Sequence, residues 1–470
     1  MQGAYKKLTI FLAMSALCSC SMIPAFERPA PIVPKDWPIP PFEATAEGHL
    51  PKAHELAWQT FFKDERLKKL IECTLRNNQD MRLATAHVRE AMAAYGIVYA
   101  DRLPSVNLGA SSASVRTPKD LTLFGKDITS HRQDIGLNLS GFELDFWGRI
   151  AAMDEAAYAS YLATEEARTT LHTSLVAMVA DSYFLIKELE ERLELTEYTF
   201  ENRSRMLELV ELMYEKGAVS QLDILQAKAA VDTAKADLVR LQQQYGMAQN
   251  ALTLLLGTAP PDDTPDGLDL MHQDLTDAFD MAIPSEVLLH RPDVRAAEQK
   301  LLAANANIGA ARAAFLPNIT LNLSLGTASR SISGLFENGS GVWSFTPTLV
   351  QPIFNAGRLK SNLDLAETRK DAAVAEYEKT IQQAFREVAD ALVSCDRLAA
   401  ALNIQERLLA TQTQRLKTVE ERYTQGIASH LEVLDAQRDQ YAAQMAVVQV
   451  RRQLLSARVQ LYRALGGGHG

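Results

Sequence analysis

Hydrophobic residues recur with two different periods along this chain, and the two alternate in blocks. Over 104–115, Val106, Leu108 and Ala110 fall on every second position. Over 131–146, Ile135, Leu137 and Leu139 do the same before the phase slips to Phe142, Leu144 and Phe146. Ile319, Leu321, Leu323 and Leu325 repeat the pattern within 317–327, and 341–354 alternates less cleanly. A period of two with one apolar face predicts β-strands, and the intervening positions here are mostly small and uncharged. The rest of the pattern is helical. Residues 149–214 and 357–424 have no internal Pro or Gly and are dense in Ala, Leu, Glu, Gln, Lys and Arg, all strong helix formers. At 1.5 Å per residue each predicts a helix about 100 Å long. Such helices need partners for their apolar stripes. Residues 221–256 and 430–465, about 54 Å each, and 78–101 and 292–314, about 36 Å each, are the natural partners, stacked end to end.

The same plan is written twice. Tyr214, Gly217 and Ser220 recur as Tyr423, Gly426 and Ser429, an offset of 209 residues that also relates Gly148-Arg149 to Gly357-Arg358. Asp80-Met81-Arg82 answers Asp293-Val294-Arg295, and Leu103-Pro104 answers Leu316-Pro317, both at an offset of 213. One short insertion or deletion accounts for the difference, and a period this long is duplication of a whole unit rather than a solenoid repeat. The expected organisation is a first repeat over 56–257, a linker over 258–290, a second repeat over 291–465 and a tail over 466–470. The acidic stretch on the linker, 262–280, reads as a solvated loop.

The N-terminus changes the picture of where this happens. Lys6 and Lys7 precede an apolar run from Leu8 to Leu17, which ends in Leu17-Cys18-Ser19-Cys20. The run has signal-peptide length and is too short to span a bilayer as a helix. The sequence resembles a bacterial lipobox, so residues 1–19 are expected to leave, and Cys20 to become a lipidated N-terminus. Ser21, which is not Asp, implies export to the outer membrane within that class. The Pro-rich segment that follows, within 20–55, reads as an extended tether holding the lipid away from the rest. Two cysteines remain, Cys73 and Cys395. An oxidising compartment allows a disulfide, but two buried small apolar residues are the default expectation.

Four strands of this kind cannot close a barrel by themselves, since the smallest membrane barrels have eight and an open edge in lipid is not tolerated. Closure between copies is the remaining solution: two copies give eight strands and three give twelve. Here the residues reach a family. "FELDFWGR" at 142–149, "IPSEVLLHRPDVRAAEQKLLAANANIGAARAAFLPNITL" at 283–321, "QPIFNAGRL" at 351–359 and the paired turns resemble the outer membrane factors of the TolC type, in their NodT/OprM-like lipoprotein branch. The resemblance covers essentially the whole mature chain. It implies a mixed α and β fold in a homotrimer: a twelve-stranded transmembrane β-barrel continuous with a periplasmic α-helical coiled-coil barrel, with an equatorial belt supplied by 56–76, the linker and the tail. It also implies a passive exit channel for drugs or other small toxic compounds in a tripartite efflux system. The partners would be a periplasmic membrane-fusion adaptor, an inner-membrane transporter of the resistance–nodulation–division class, and outer-membrane lipid. Type I protein secretion on the same fold, or a structural lipoprotein without a channel, are the alternatives.

Candidate chemistry lies at the two turns. Gly217 and Gly426 stand where a helix end takes a left-handed residue. Ser220 with Asp223, and Ser429 with Glu432, form capping boxes. Asp435 has no capping role and lies one turn beyond Glu432 on the same face, whereas the first copy has Gln226 there. The resemblance makes these turns the periplasmic tips. It assigns Glu432 and Asp435 to an acidic ring at a closed entrance, and Asp223 and Tyr423 to contacts that hold the tip shut. The Arg that the best-known member uses as a latch is Ala428 here. Crowded carboxylates repel and attract cations, so a gate of this kind would be cation-selective.

Other chemistry is not expected. The nine His have no HExxH spacing, and no CxxC pair, phosphate-binding loop or dinucleotide fingerprint is present. No enzyme, cofactor or metal site is expected, and a net charge of −10 argues against nucleic acid.

Overall fold

The computed structural model describes residues 21–30, 32–34, 36–37, 55–123, 125–261, 264–276 and 288–468. The expected leader, Cys20 and part of the expected linker lie outside that range. The elements are α1 (Trp58–Phe61), α2 (Glu65–Asn77), α3 (Gln79–Ala100), β1 (Val106–Thr117), β2 (Ile128–Glu143), α4 (Arg149–Glu215), α5 (Gln221–Leu256), α6 (Pro292–Ala313), β3 (Asn318–Ser329), β4 (Gly341–Val350), α7 (Arg358–Thr424) and α8 (His430–Ala464). Both long helices run unbroken for 67 residues. β4 stops at Val350 rather than at 354. Pro352 lies just beyond, and without an amide N–H it cannot donate to a ladder. The chain divides into two compact units, one of 1–29, 88–164 and 297–377, the other of 30–87, 165–296 and 378–470.

The first unit carries one antiparallel sheet in the order β1-β2-β3-β4. Its registers align the apolar residues into rows. Leu108 faces Leu137, which faces Leu325, which faces Trp343; Val106, Leu139, Leu323 and Phe345 form the row beside it. All of these side chains but the half-buried Leu139 are exposed on the chain alone, Leu108 at 73% and Trp343 at 72%. The alternate positions give the other face, where Asn107 lies beside Asn138 and Ser324 bonds Ser344 at 2.8 Å. A sheet apolar on one side and polar on the other, with the apolar side uncovered, is the pattern of a membrane-barrel wall. The phase slip read in the sequence is a β-bulge between Leu139 and Phe142. Gly141 sits there at φ 69°, and its N–H donates to Asn322 Oδ1 at 2.8 Å.

Across the polar face runs a row of glycines, Gly109, Gly136 and Gly326. A Cβ on Gly136 would stand 2.7 Å from the Leu325 carbonyl oxygen, and one on Gly326 would meet the Ile135 carbonyl. The two strands approach too closely there for any side chain. β1 and β4 each pair on one side only, so among the described residues both edges of the sheet are open. Beneath the sheet, Ala156 and Ala159 of α4 close on Ala303 and Ala306 of α6.

The N-terminal segment differs from expectation. It is not a free tether: from Ile23 to Arg28 it lies on α6. In the second unit Trp37 stacks on Phe385 of α7, with centroids 5.2 Å apart.

The core of the second unit is the expected belt region with the helices that pass it. Phe61, Phe62, Leu67, Ile71, Tyr183, Phe184 and Tyr462 pack there, and the rings of Phe61 and Tyr462 stack with centroids 4.0 Å apart. Asp64 is its polar hub. One carboxylate oxygen caps α2 through the Arg66 and Leu67 amides. The other accepts from Tyr183 Oη at 2.8 Å, Gln273 Nε2 at 2.7 Å and the Leu268 amide at 3.0 Å. The acidic stretch of the linker is therefore only partly a solvated loop: Leu270, Gln273 and Leu275 are buried in it, and the Leu270 amide donates to Glu191. Arg291, the first residue after the linker, is also buried, and it binds Asp293, Glu387 and the Ala464 carbonyl. No disulfide joins Cys73 and Cys395.

Candidate functional site

The two helix reversals are built alike. Gly217 and Gly426 take φ of 72° and 74°, in the left-handed region where a Cβ is disfavoured. The Gly217 amide donates to the Tyr214 carbonyl, and the Gly426 amide to that of Tyr423. Each following helix then opens on a complete capping box. Ser220 N–H and Oγ both donate to Asp223 Oδ2, at 2.8 and 2.7 Å, while the Asp223 amide returns to Ser220 Oγ. Ser429 N–H and Oγ donate to Glu432 Oε1 at 3.0 and 3.1 Å, with the same return bond. Both carboxylates are thereby held below the usual carboxylate range, Asp223 first by the Ser220 hydroxyl and Glu432 first by the Ser429 amide. They stay ionised at neutral pH.

Asp435 is different in kind. It caps nothing and instead meets Arg438 at 3.1 Å. Arg438 also binds Asp439 at 3.0 Å, and Asp439 binds Arg415 on α7 at 2.6 Å. The four residues form an alternating chain of charges linking α8 to α7, with Asp435 at its end nearest the turn. Sequence reading isolated Asp435 but missed its partner, although Arg438 lies three residues on, within one helical turn.

A second feature was also missed. His430, the first residue of α8, is buried at 7% exposure, and neither ring nitrogen has a hydrogen-bond partner. Its ring lies against Tyr423, with centroids 6.0 Å apart. Burial pushes its pKa down, and the charge of Asp223 on the other hairpin partly offsets that. His430 thus relates the two tips of one chain. In the sequence it is one of nine scattered His, and only its place beside a cap Ser distinguishes it. Of the expected tip residues, Asp223 is engaged by its own cap and Tyr423 by His430, while Ala428 is buried at 8% exposure. Among the described residues no group of three His, Cys, Asp or Glu could hold a metal, and no helix is long and apolar enough to cross a membrane.

Comparison with known proteins agrees with this architecture. The family model described as "Outer membrane efflux protein" matches twice, over residues 70–258 and 283–467, once in each copy of the repeat. The toluene efflux pump outer membrane protein TtgF of Pseudomonas putida is 41% identical over 466 residues, covering 98% of this chain and 96% of that one. Outer membrane protein OprJ of Pseudomonas aeruginosa is 39% identical over 464 residues, covering 98% and 95%. The open state of the MtrE outer membrane channel of Neisseria gonorrhoeae superposes with a TM-score of 0.87 at 35% identity, covering 96% of this chain and 98% of that one. CusC gives a TM-score of 0.84 at 38% identity, covering 96% and 100%. With a one-sided sheet that fits a membrane wall, and a family model matched in both halves, the chain belongs to the outer membrane efflux protein family: it is an outer-membrane channel protein of efflux, a passive transport duct.

Proposed function

We propose that three copies of this chain assemble into one duct, lipid-anchored through Cys20, that carries small toxic compounds from the periplasm to the exterior. The single observation that carries the reading is the sheet: four strands, apolar on one face, open at both edges. Open edges cannot stand in lipid, so β4 of one copy pairs with β1 of the next, and three copies give twelve strands around a usable lumen. The glycine row lies on the lumen side of that wall.

The helical hairpins form the periplasmic tunnel, and their tips meet a membrane-fusion adaptor and, through it, an inner-membrane transporter of the resistance–nodulation–division class. The duct is passive on this reading, and the inner-membrane partner supplies the work. Glu432 and Asp435, three of each around the axis, narrow the entrance and favour cations. Asp223 and Tyr423 contribute to holding it closed. Relatives named for toluene and antibiotic efflux favour small amphiphilic compounds over secreted proteins as cargo.

Planar-bilayer recording of the purified, full-length protein tests the reading. The expected result is a small, cation-selective conductance from a trimeric species. Absence of any such current from a folded trimer would sink it.

A further inference from the structure

Near the sheet, α3 and α4 hold four tyrosines in one cluster. Tyr95 is its centre, with ring centroids 6.0 Å from Tyr99, 5.3 Å from Tyr158 and 6.5 Å from Tyr161. The rings of Tyr99 and Tyr158 are tilted against it by 50° and 53°, and each of the two is 46% exposed. The Asp101 and Arg102 amides bond the Val98 and Tyr99 carbonyls. Helical winding therefore continues past the end of α3, and Tyr95, Tyr99 and Arg102 share one face. Arg102 pairs across to Asp154 on α4 at 2.7 Å, one turn from Tyr158. Asp154 is buried, and its other oxygen has no hydrogen-bond partner.

The cluster lies on the apolar side of the sheet. Phe142 pairs with Leu321, so the chain returns to the apolar row after the bulge. Phe142, Leu144 and Phe146 line one cavity of about 670 Å³ together with Arg102, Ala151 and Glu155. Tyr158 comes three residues after Glu155 and seven after Ala151, on the same helix face. From Tyr95 to β1 the chain thus presents aromatic rings, then one cation, then apolar surface: Leu103 and Val106 are exposed and lead into the row of Leu108. That is the order of a phospholipid read from head to tail.

We propose that α3 and α4 carry a headgroup site for a phospholipid bearing an ammonium group, of the phosphatidylethanolamine type. The inference rests on the reading of the sheet as a membrane wall. The ammonium lies on the faces of Tyr99 and Tyr158, drawn by the ring quadrupoles and by the buried charge of Asp154. The phosphate takes the donors of Arg102 that Asp154 leaves. The acyl chains follow Leu103, Val106 and Leu108. From Tyr99 to Arg102 the backbone rises about 4.5–6 Å, which suits the two-carbon bridge between amine and phosphate. The second repeat lacks the site. At the 213 and 209 offsets Tyr99 becomes Arg312, Arg102 becomes Phe315 and Tyr158 becomes Glu367, and Arg312 pairs with Glu367 at 3.5 Å.

Native mass spectrometry of the delipidated full-length protein, with phosphatidylethanolamine or phosphatidylglycerol added, tests this. Both lipids carry the phosphate and the same chains, and only the first carries the ammonium. The expected result is a preference for phosphatidylethanolamine of about threefold or more. Tyr99→Leu with Tyr158→Leu should abolish the preference, and Tyr99→Phe with Tyr158→Phe should keep it, because the ring face and not the hydroxyl binds the cation. Arg102→Lys should weaken both lipids alike. Equal binding by the parent protein, a preference that survives the leucine pair, or one lost in the phenylalanine pair would overturn the site and leave an ordinary interfacial aromatic girdle. A parent protein that does not insert into vesicles of the two lipids would overturn the wall reading, and the site with it.

Discussion

The imidazole of His430 lies 6.0 Å, centroid to centroid, from the ring of Tyr423, buried at the tip without a hydrogen bond to either of its nitrogens. That arrangement has a pH dependence whose sign can be worked out. Burial depresses the pKa of His430 in the packed tip, whereas in an opened, hydrated tip it returns to about 6.5. Between those values the opened form binds more protons, so packing is fully favoured above about pH 6.5 and weakens as pH falls through that window. Asp223 and Glu432 have carboxyls held low, so they remain charged there and lose their caps only in stronger acid. Single-channel conductance is expected to rise as pH falls below about 6.5, and His430→Phe should flatten that rise. A profile identical in the variant would assign the effect elsewhere.

Asp435 gives a separate prediction. Within the chain its one ionic partner described is Arg438, which is shared with Asp439. At the proposed entrance, a carboxylate that shares its arginine keeps enough charge to select cations. Asp435→Ala should raise conductance and lower cation selectivity, while Arg438→Gln, which frees the carboxylate, should increase selectivity. Reversal potentials in a salt gradient separate the two. Equal selectivity in both variants and the parent would remove Asp435 from the gate.

Much of this was legible in the sequence, and for physical reasons. The bulge at Leu139/Phe142 was visible as a slip in a period-two pattern, because register and face are locked together in a strand. The caps at Ser220 and Ser429 were visible because they are local, closed within four residues. What was not visible is what depends on distant segments meeting. Asp64 reads as an ordinary N-cap, and nothing in sequence shows Tyr183, Gln273 and the Leu268 amide converging on it. The Pro-rich N-terminus reads as a tether because its composition lacks helical or strand period, yet Ile23 seats where Gly309 has no side chain. His430 was passed over because its importance lies in burial, which spacing does not encode.

The glycine row offers a test of the barrel wall that is independent of the tips. A Cβ on Gly326 has no room against the Ile135 carbonyl, which is backbone and cannot rotate away. Gly326→Ala should cost on the order of 1–3 kcal/mol, the usual range for overpacking, and should lower the yield of heat-resistant trimer. Gly109→Ala, where the nearest atom is the Asn138 side-chain nitrogen at 3.1 Å, should cost less, because that amide can shift. The two variants compared on a semi-native gel after graded heating check the order; Gly109→Ala being the more damaging would contradict the register described.

Asp64 predicts the largest single loss in the second unit. Its carboxylate accepts from two helix amides, a buried phenol, a carboxamide and a linker amide. Burial, then the hydrogen bond to Asp64, pushes the Tyr183 phenol well above its ordinary range, so it remains a donor at any physiological pH. Asp64→Ala strands these donors in a buried site, at roughly 1–3 kcal/mol for each one left unsatisfied. Asp64→Asn keeps one acceptor oxygen and adds an amide donor among groups that are themselves donors, so it should recover little. Tyr183→Phe removes one donor with its partner intact and should cost only about 1 kcal/mol. Thermal unfolding of the detergent-solubilised protein, followed by fluorescence, should rank the three as Asp64→Ala and Asp64→Asn well below Tyr183→Phe. If Asp64→Ala unfolds no earlier than Tyr183→Phe, Asp64 is a cap on α2 and not the hub that ties the linker to the long helix.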